Sequence, residues 1–330
     1  MPRVLVVDPL SPEPEIIAEA ARVLSAGGLV VFPTETVYGL GARGLRPAEI
    51  ARIYEAKGRP AGHPLILHVD DEAMARSVAS VWSDRTAALA TRFWPGPLTL
   101  VVPRGAHVPS EVSGGLATVG IRQPDHRVAL ALIAAVGEPL AAPSANAHTH
   151  VSPTTAEHVV RSLGDRVDLV LDAGPCPGGL ESTVVLVDSP LRVLRPGGIT
   201  LDQLRAIDPD VVDGTTALEG DAARAAPGMA AKHYAPRTRV VLARRHEVGA
   251  AITSARTAAI VATASGQSDA AACEPLIVLE DEPNAYARAL YAALHTADAA
   301  QVDLIVIEAP PENDPAWWAV RDRVQRAARD

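Results

Sequence analysis

Cysteine is nearly absent from this chain of 330 residues, which contains only Cys176 and Cys273. Two cysteines cannot build the disulfide framework of a small secreted protein, so we expect a cytoplasmic location. Long hydrophobic runs are also missing, since no stretch approaches the roughly 20 apolar residues that a membrane helix needs. With 48% hydrophobic and 21% charged residues, the composition is that of a folded globular chain.

Lysine is the scarcest cation, with only Lys57 and Lys232 beside 28 arginines. Two lysines among so many arginines either survive by chance or mark positions that need a compact ammonium rather than a planar guanidinium. The net charge is −9, and no basic run extends beyond Arg244 and Arg245. Direct binding to the phosphates of a nucleic acid is therefore not expected, and any bound anion should be small and held in a focused pocket.

Familiar catalytic motifs are absent as well. The sequence has no GxxxxGK[ST] loop, no HExxH, no Gly-x-Ser-x-Gly and no Cys-x-x-Cys, and residues 238–330 also lack a GxGxxG. A classical phosphate loop, a metalloprotease site and a serine hydrolase triad are thereby excluded. No metal site formed by protein side chains is predicted.

The order of apolar strands and amphipathic helices predicts an α/β fold with two domains. Residues 1–207 are predicted to form a twisted, mixed sheet with helices. Residues 208–237, rich in Gly, Ala, Pro and Asp, are predicted to be a linker. Residues 238–330 regain a regular rhythm and predict a smaller, mostly parallel, Rossmann-like α/β domain.

Three local predictions bear on the site. TETVYGLGAR (34–43) is predicted to leave its strand as a loop, PLAAPSAN (139–146) to be a strand, and STVVLV with LRVLRPG to form a hairpin. Small polar or cationic residues follow strand ends, where ligands of open α/β sheets collect. The segments that show this pattern are PTETVYGLGA (33–42), KGRPAGHPLILH (57–68), TVGIR (118–122), APSAN (142–146), ESTV (181–184) and LRPGG (194–198).

Together these segments resemble the YrdC-like family, the threonylcarbamoyl-AMP synthases of tRNA modification, over about residues 10–207. The signature of that family, K-x-R with S-x-N, is matched by Lys57, Arg59, Ser144 and Asn146. APGMAAKHYAP (226–236) resembles the linker of the long form of the family, which has an additional C-terminal domain.

The resemblance implies a reaction in which L-threonine, bicarbonate and ATP give threonylcarbamoyl-AMP and pyrophosphate, for the N6-threonylcarbamoyladenosine at position 37 of tRNA. The amine of threonine becomes a carbamate that attacks the α-phosphorus, so the substrate supplies the nucleophile. The protein must then supply positioning and cations, with Mg²⁺ entering on the phosphates of ATP. A downstream tRNA threonylcarbamoyl transferase is the implied partner.

Site residues follow from the same resemblance. Lys57 and Arg59 are predicted to be catalytic. The predicted ATP-binding residues are Lys57, Arg59, His63, Thr118, Ser144, Asn146, Ser152, Arg195 and Tyr234. The predicted L-threonine-binding residues are Thr36, His68, Arg122, Ala142 and Ser182. Arg122 suits the carboxylate of threonine because a guanidinium binds a carboxylate bidentately, whereas a role for Glu35 is not assigned.

The resemblance to the long form also implies that the linker, which contains Lys232 and Tyr234, acts as a lid with Tyr234 reaching the nucleotide. Such a lid would keep water from the mixed anhydride. The chain departs from the family where His148 and Thr149 replace a Ser-Gly pair, so loop 147–151 is expected to differ in shape. Two other functions stay open from the residues alone: a nucleic-acid-binding module, which the net charge disfavours, and a carbamoyl-transfer maturation factor, whose usual accessory modules are not visible.

Overall fold

The computed structural model describes residues 1–215, 233–254 and 256–329. The chain divides into two compact units. The first unit consists of Met1–His148, Pro153–Pro177 and the described part of Glu181–Ala230. The second consists of Thr149–Ser152, Gly178–Leu180 and the described part of Ala231–Asp330. Lys232, which was predicted to be part of a lid, lies outside the described residues.

An 11-stranded sheet runs through the first unit in the order β1-β8-β2-β3-β7-β4-β6-β5-β9-β10-β11. Both parallel and antiparallel pairs occur in it, so the predicted mixed sheet is confirmed. The strands are β1 (Arg3–Val6), β2 (Val30–Phe32), β3 (Gly39–Arg43), β4 (Ile66–His68), β5 (Leu98–Pro103), β6 (Thr118–Arg122), β7 (Leu140–Ala141), β8 (Leu169–Asp172), β9 (Thr183–Leu186), β10 (Arg192–Arg195) and β11 (Val212–Asp213).

Eight helices accompany this sheet in the described part of the first unit. They are α1 (Pro14–Ser25), α2 (Pro47–Lys57), α3 (Glu72–Val78), α4 (Asp84–Phe93), α5 (Ser110–Ser113), α6 (Arg127–Val136), α7 (Ala156–Leu163) and α8 (Leu201–Arg205), with a 3₁₀ turn at Gly164–Arg166. One apolar stripe of α1 and one of α6 pack together against β2 and β8, with Leu24, Val30 and Leu132 fully buried. This core fixes the strands whose ends carry the site.

Strand β3 was not predicted, since Gly39–Arg43 was expected to be part of a loop. The segment pairs antiparallel with β2, with Phe32 opposite Gly39. A side chain at Gly41 would clash, because its Cβ would lie 2.7 Å from Cε1 of Phe32. The glycines therefore leave room for a neighbouring aromatic ring, and their low strand propensity is overridden by the fit.

Other boundaries differ less. The predicted strand over 139–146 is reduced to Leu140–Ala141, after which the chain turns through the segment that carries Ser144 and Asn146. The predicted hairpin is confirmed by the antiparallel pairing of β9 with β10. Strand β11 lies inside the segment predicted to be a linker and pairs parallel with β10, so the sheet continues beyond residue 207.

The second unit contains a four-stranded sheet in the order β12-β15-β13-β14. All its described pairs are parallel, in agreement with the prediction of a mostly parallel layer. Its elements are β12 (Val240–Ala243), α9 (Val248–Ala251), β13 (Thr257–Val261), α10 (Ala264–Asp269), β14 (Leu276–Val278), α11 (Pro283–Ala299), β15 (Leu304–Glu308), a 3₁₀ turn (Pro315–Trp317) and α12 (Trp318–Ala327).

Thr149 adopts a left-handed backbone conformation with φ of 66°. This is where the chain lacks the glycine of the family pattern, so the left-handed turn is kept by a β-branched residue at a cost in strain. Its carbonyl accepts a hydrogen bond of 3.0 Å from the amide of Ala235, within the second unit. Across the residues that the structure describes, no helix is both long and apolar enough to cross a membrane.

Candidate active site

Three predicted site residues are the last residues of their strands. His68 ends β4, Arg122 ends β6 and Arg195 ends β10, and each side chain is buried. His68 and Arg122 are paired in the parallel register of β4 and β6, so the two residues lie side by side. The strand ends thus bring together two of the predicted threonine-binding residues.

The imidazole of His68 is uncharged in this setting. Burial, together with a smaller effect of the neighbouring Arg122 guanidinium, lowers its pKa to about 3. Its Nδ1 lies 3.4 Å from the carbonyl oxygen of Ile66, and the edge of Phe32 faces the ring at 6.1 Å between centroids. At neutral pH His68 can donate a hydrogen bond to a ligand or accept one from it without adding a charge to the site.

Lys57 is the last residue of α2, and Gly58 closes that helix in the left-handed conformation. Its Nζ donates to the carbonyl oxygens of Ser144 and Asn146, so the K-x-R and S-x-N segments are joined directly. Burial lowers the pKa of Lys57 well below its usual value, and the nearby Arg59 adds to that shift. The ammonium therefore sits where an anion would stabilise its charged form.

The loop after α2 is anchored on Tyr54. The amide of Arg59 donates to the carbonyl of Tyr54 at 2.9 Å, and the Tyr54 hydroxyl donates to the carbonyl of His63 at 2.8 Å. The Arg59 side chain donates to the carbonyl of Pro64 at 3.1 Å. His63 meets the ring of His148 edge-on at 5.2 Å, so it too lies beside the segment that follows Asn146.

Arg195 and Ser182 form a second joined pair. The Nε and Nη2 of Arg195 donate to the carbonyl and the hydroxyl of Ser182, each at 3.1 Å. The Ser182 hydroxyl is also 2.7 Å from that of Thr99. Gly197 is necessary here, because a Cβ at this position would lie 2.3 Å from the amide nitrogen of Thr183. The two segments are thereby held in direct backbone contact.

Glu181 connects the two pairs electrostatically. It precedes Ser182 in the chain, and its charge acts on the ammonium of Lys57, where it raises the pKa against the effect of burial. The charge of Glu181 therefore acts on Lys57 as well as standing next to Ser182 in the chain.

Thr36, Ala142 and Thr118 are placed by the surrounding backbone. The hydroxyl of Thr36 lies 2.8 Å from that of Thr34, and the amide of Ala142 donates to the carbonyl of Ile66 at 3.0 Å. Thr118 begins β6, so it lies roughly 13 Å along the strand from Arg122. The structure therefore separates Thr118 from Arg122, the residue predicted to bind the carboxylate of threonine.

Sequence reasoning left one participant unassigned. Arg122 Nη2 lies 2.6 Å from Glu35 Oε1 in a buried ion pair, while Arg122 Nε donates to the carbonyl of Gly96 at 3.3 Å. Glu35 stands next to the predicted Thr36, which was the available signal. Glu35 and Arg122 are 87 positions apart in the sequence, so their pairing could not be predicted from it.

Two predicted ATP-binding residues belong to the second unit. Ser152 is fully buried there, and its carbonyl lies 3.1 Å from Nε2 of His295. The ring of Tyr234 is stacked on Tyr291 at 5.9 Å, with the Arg323 guanidinium 4.8 Å from its centroid. Tyr234 has a left-handed φ of 61°. Their assignment to ATP stays a prediction.

Metal-binding side chains are not clustered in the described ranges, where no group of three or more His, Cys, Asp or Glu residues is placed to hold a metal ion. Cys176 and Cys273 are free thiols and both are buried. Burial raises the pKa of Cys176 to about 12, so this thiol is not a nucleophile at neutral pH.

Comparison with known proteins covers nearly the whole chain. The model of the Sua5–YciO–YrdC family, described as Telomere recombination, matches residues 22–197. The model described as Threonylcarbamoyl-AMP synthase, C-terminal domain, matches residues 199–329. Threonylcarbamoyl-AMP synthase from Pyrococcus abyssi is 38% identical over 94% of this chain and 93% of its own length. The Bacillus subtilis protein of that name is 38% identical over 98% and 96%.

A solved structure agrees in fold over the same extent. The crystal structure of Pyrococcus abyssi Sua5 complexed with L-threonine superimposes with a TM-score of 0.89 and 35% identity. The match covers 98% of this chain and 97% of that one. Both units therefore have counterparts in a single known protein.

Proposed function

This chain belongs to the Sua5–YciO–YrdC family and carries the C-terminal domain of threonylcarbamoyl-AMP synthases, and from this membership we propose its reaction. L-Threonine, bicarbonate and ATP are converted to threonylcarbamoyl-AMP and pyrophosphate. The product serves the threonylcarbamoylation of adenosine 37 in tRNA, carried out by a downstream transferase. The relative that contains bound L-threonine supports the amino-acid substrate.

The observation that carries the proposal is the junction of Lys57 with the Ser144–Asn146 segment. A buried ammonium with a lowered pKa gains most from an anion placed beside it, and a triphosphate supplies that anion. Arg59 and Arg195 bring two further cations, whose donors stabilise the charge that develops as pyrophosphate leaves. Mg²⁺ enters with ATP through the phosphates.

Threonine is assigned to the ends of β4 and β6. Arg122 binds its carboxylate through the planar guanidinium, and neutral His68, Thr36 and Ser182 provide hydrogen bonds. Bicarbonate carboxylates the amine of threonine with loss of water, and an oxygen of the resulting carbamate attacks the α-phosphorus while the bond to pyrophosphate breaks. The protein needs no nucleophile of its own, in keeping with the high pKa of the Cys176 thiol.

We assign this activity to the cytoplasm and to small substrates rather than to direct tRNA binding. Two free, buried thiols suit a reducing compartment. A net charge of −9 opposes binding along a nucleic-acid backbone. The labile adenylate would then pass to the transferase that holds the tRNA.

Pyrophosphate release tests the proposal. The purified chain is incubated with Mg²⁺, ATP and bicarbonate, with and without L-threonine, and pyrophosphate is measured with time. Release that requires both threonine and bicarbonate is expected, accompanied by a short-lived threonylcarbamoyl-AMP detectable by mass spectrometry. Threonine-independent release, or no release, would remove the synthase assignment.

A further inference from the structure

Glu35 has an unusual environment for a buried carboxylate. Its side chain is 13% exposed, that of Arg122 is 5% exposed, and Oε1 lies 2.6 Å from Nη2 of the arginine. Among the described residues, neither of its carboxylate oxygens accepts a hydrogen bond of good geometry. The group is thus neutralised by one ion pair and leaves its remaining acceptor capacity unused.

Glu49, in the same unit, shows how a structural carboxylate is satisfied. Its two oxygens accept from Nε of Arg43 at 3.1 and 3.0 Å, and Nη2 of the same arginine also donates to it. A buried carboxylate with unused acceptors is costly to the fold. Unlike Glu49, Glu35 is left in the state expected of a residue that awaits a donor from a ligand.

The backbone beneath Glu35 is fixed. The hydroxyl of Thr34 accepts from the amides of Thr36 and Val37 at 3.1 and 3.2 Å and donates to the carbonyl of Val37 at 2.7 Å. These hydrogen bonds hold the backbone before and after Glu35 in place. Because the backbone is held, we expect the ion pair to open by rotation of the Glu35 side chain, which keeps the carboxylate near Arg122.

An amino acid brings both charges that this pair needs. Its carboxylate competes with Glu35 for the guanidinium of Arg122, and its ammonium is borne on the adjacent carbon. We propose that Glu35 occupies Arg122 in place of the substrate carboxylate while the pocket is empty, and that after exchange it binds the substrate ammonium. This inference rests on the proposed function and makes Glu35 the residue that selects an α-amino acid.

The exchange makes the affinity of a ligand depend on whether it carries an amine. A hydroxy acid or a simple carboxylic acid must also displace Glu35, but it offers the released carboxylate no cation in return. Such a ligand leaves Glu35 buried without a charged partner, which is strongly unfavourable. Selection against ligands that lack the amine thus follows from one ion pair.

Calorimetric titration with two ligands tests the proposal. L-Threonine and 3-hydroxybutanoate share a carboxylate and a β-hydroxyl, but only threonine has an ammonium. Wild type is expected to prefer threonine strongly. In Glu35→Gln, 3-hydroxybutanoate should bind more tightly than it does to wild type, because its charged competitor is gone. The Kd for 3-hydroxybutanoate divided by the Kd for threonine should therefore be about tenfold or more lower in Glu35→Gln than in wild type.

Glu49→Gln is the matched control, because it neutralises another buried carboxylate of the same unit and should leave that ratio unchanged. An unaltered ratio in Glu35→Gln would overturn the role of Glu35. If wild type fails to bind threonine, the proposed function itself is wrong, which is a different outcome. Should Glu35→Gln not fold, Glu35→Ala replaces it, since it also removes the charge: a ratio below that of wild type supports the exchange, and an equal ratio overturns it.

Discussion

Buried charges are treated differently in the two units. In the first unit, Lys57 donates to two backbone carbonyls, and Arg122 meets a carboxylate that has no other described partner of good geometry. In the second unit, the Glu308 carboxylate accepts from the amides of Ala262 and Thr263 at 2.8 and 3.1 Å and from the Thr263 hydroxyl at 2.6 Å.

Arg323 of the second unit follows the same rule as Glu308. It is fully buried, is paired with Asp322 and lies over the ring of Tyr234. Glu308 and Arg323 thus have partners within the second unit, whereas the Glu35–Arg122 ion pair of the first unit leaves both oxygens of Glu35 without a hydrogen bond of good geometry among the described residues. The difference teaches that burial alone does not mark a site; the manner in which the charge is compensated does.

The largest effect is expected from Lys57→Met. Removing the ammonium should lower the rate of threonine-dependent pyrophosphate release by at least about 100-fold, because a preorganised cation beside the phosphates is lost. Stability should fall as well, by about 1–3 kcal/mol, since the carbonyls of Ser144 and Asn146 lose their donor. Rates and urea unfolding are measured on the same preparation. A normal rate would contradict the proposed role of Lys57 in the reaction.

The pH dependence of stability tests the site at His68. Its pKa is about 3 in the folded protein against 6.5 in a free chain, so the unfolded chain binds more protons between these values. Stability is therefore complete above pH 6.5 and falls as the pH drops through this window, by up to about 1.4 kcal/mol per pH unit. Between pH 6.5 and 5, His68→Asn should lose about 2 kcal/mol less than wild type. Equal slopes would contradict the lowered pKa.

Glu308→Gln tests whether a buried charge of the second unit contributes to stability alone. Because the carboxylate accepts three hydrogen bonds, its neutralisation should destabilise the second unit by about 1–2 kcal/mol. Threonine-dependent pyrophosphate release at a temperature well below unfolding should stay unchanged. Thermal unfolding and initial rates are the measurements. A rate loss without a change in unfolding would show that this charge belongs to a site.

The smallest effect is expected from Thr149→Gly. The left-handed conformation of Thr149 is strained for a β-branched residue, and glycine removes that strain while adding freedom to the unfolded chain. The net result should be a gain in stability of about 0.5–1 kcal/mol, measured by urea unfolding. A loss of stability would mean that contacts of the threonine side chain outweigh the strain.

Much of the architecture was accessible from the sequence, for reasons that the structure makes plain. Helices α1 and α6 have an apolar stripe of helical period, and the β9–β10 hairpin has apolar runs on both sides of a Ser-Pro turn. Strand β3 was missed because its glycines pair with Phe32 through a fit that local propensity does not encode. The short helices α5 and α10 lack a periodic pattern long enough to detect.

The site was predictable as a set of residue types, but not as a set of partnerships. Arg122 was assigned to the substrate carboxylate because a guanidinium binds a carboxylate bidentately, and Lys57 was assigned to ATP through the family signature. That Lys57 would hold the carbonyls of Ser144 and Asn146, or that Glu35 would occupy Arg122, depends on chain segments brought together by the sheet. Such contacts have no signature at short range in the sequence.

The hydrogen bonds between Arg195 and Ser182 have a consequence for the order of events. Under the assignments above, one residue contacts the nucleotide and the other the amino acid, yet the Arg195 guanidinium donates to both the carbonyl and the hydroxyl of Ser182. Whatever reorients one partner changes the free energy of the other. Binding of the two substrates should therefore be cooperative or anticooperative, and thermodynamic linkage requires that each alter the affinity of the other by the same factor.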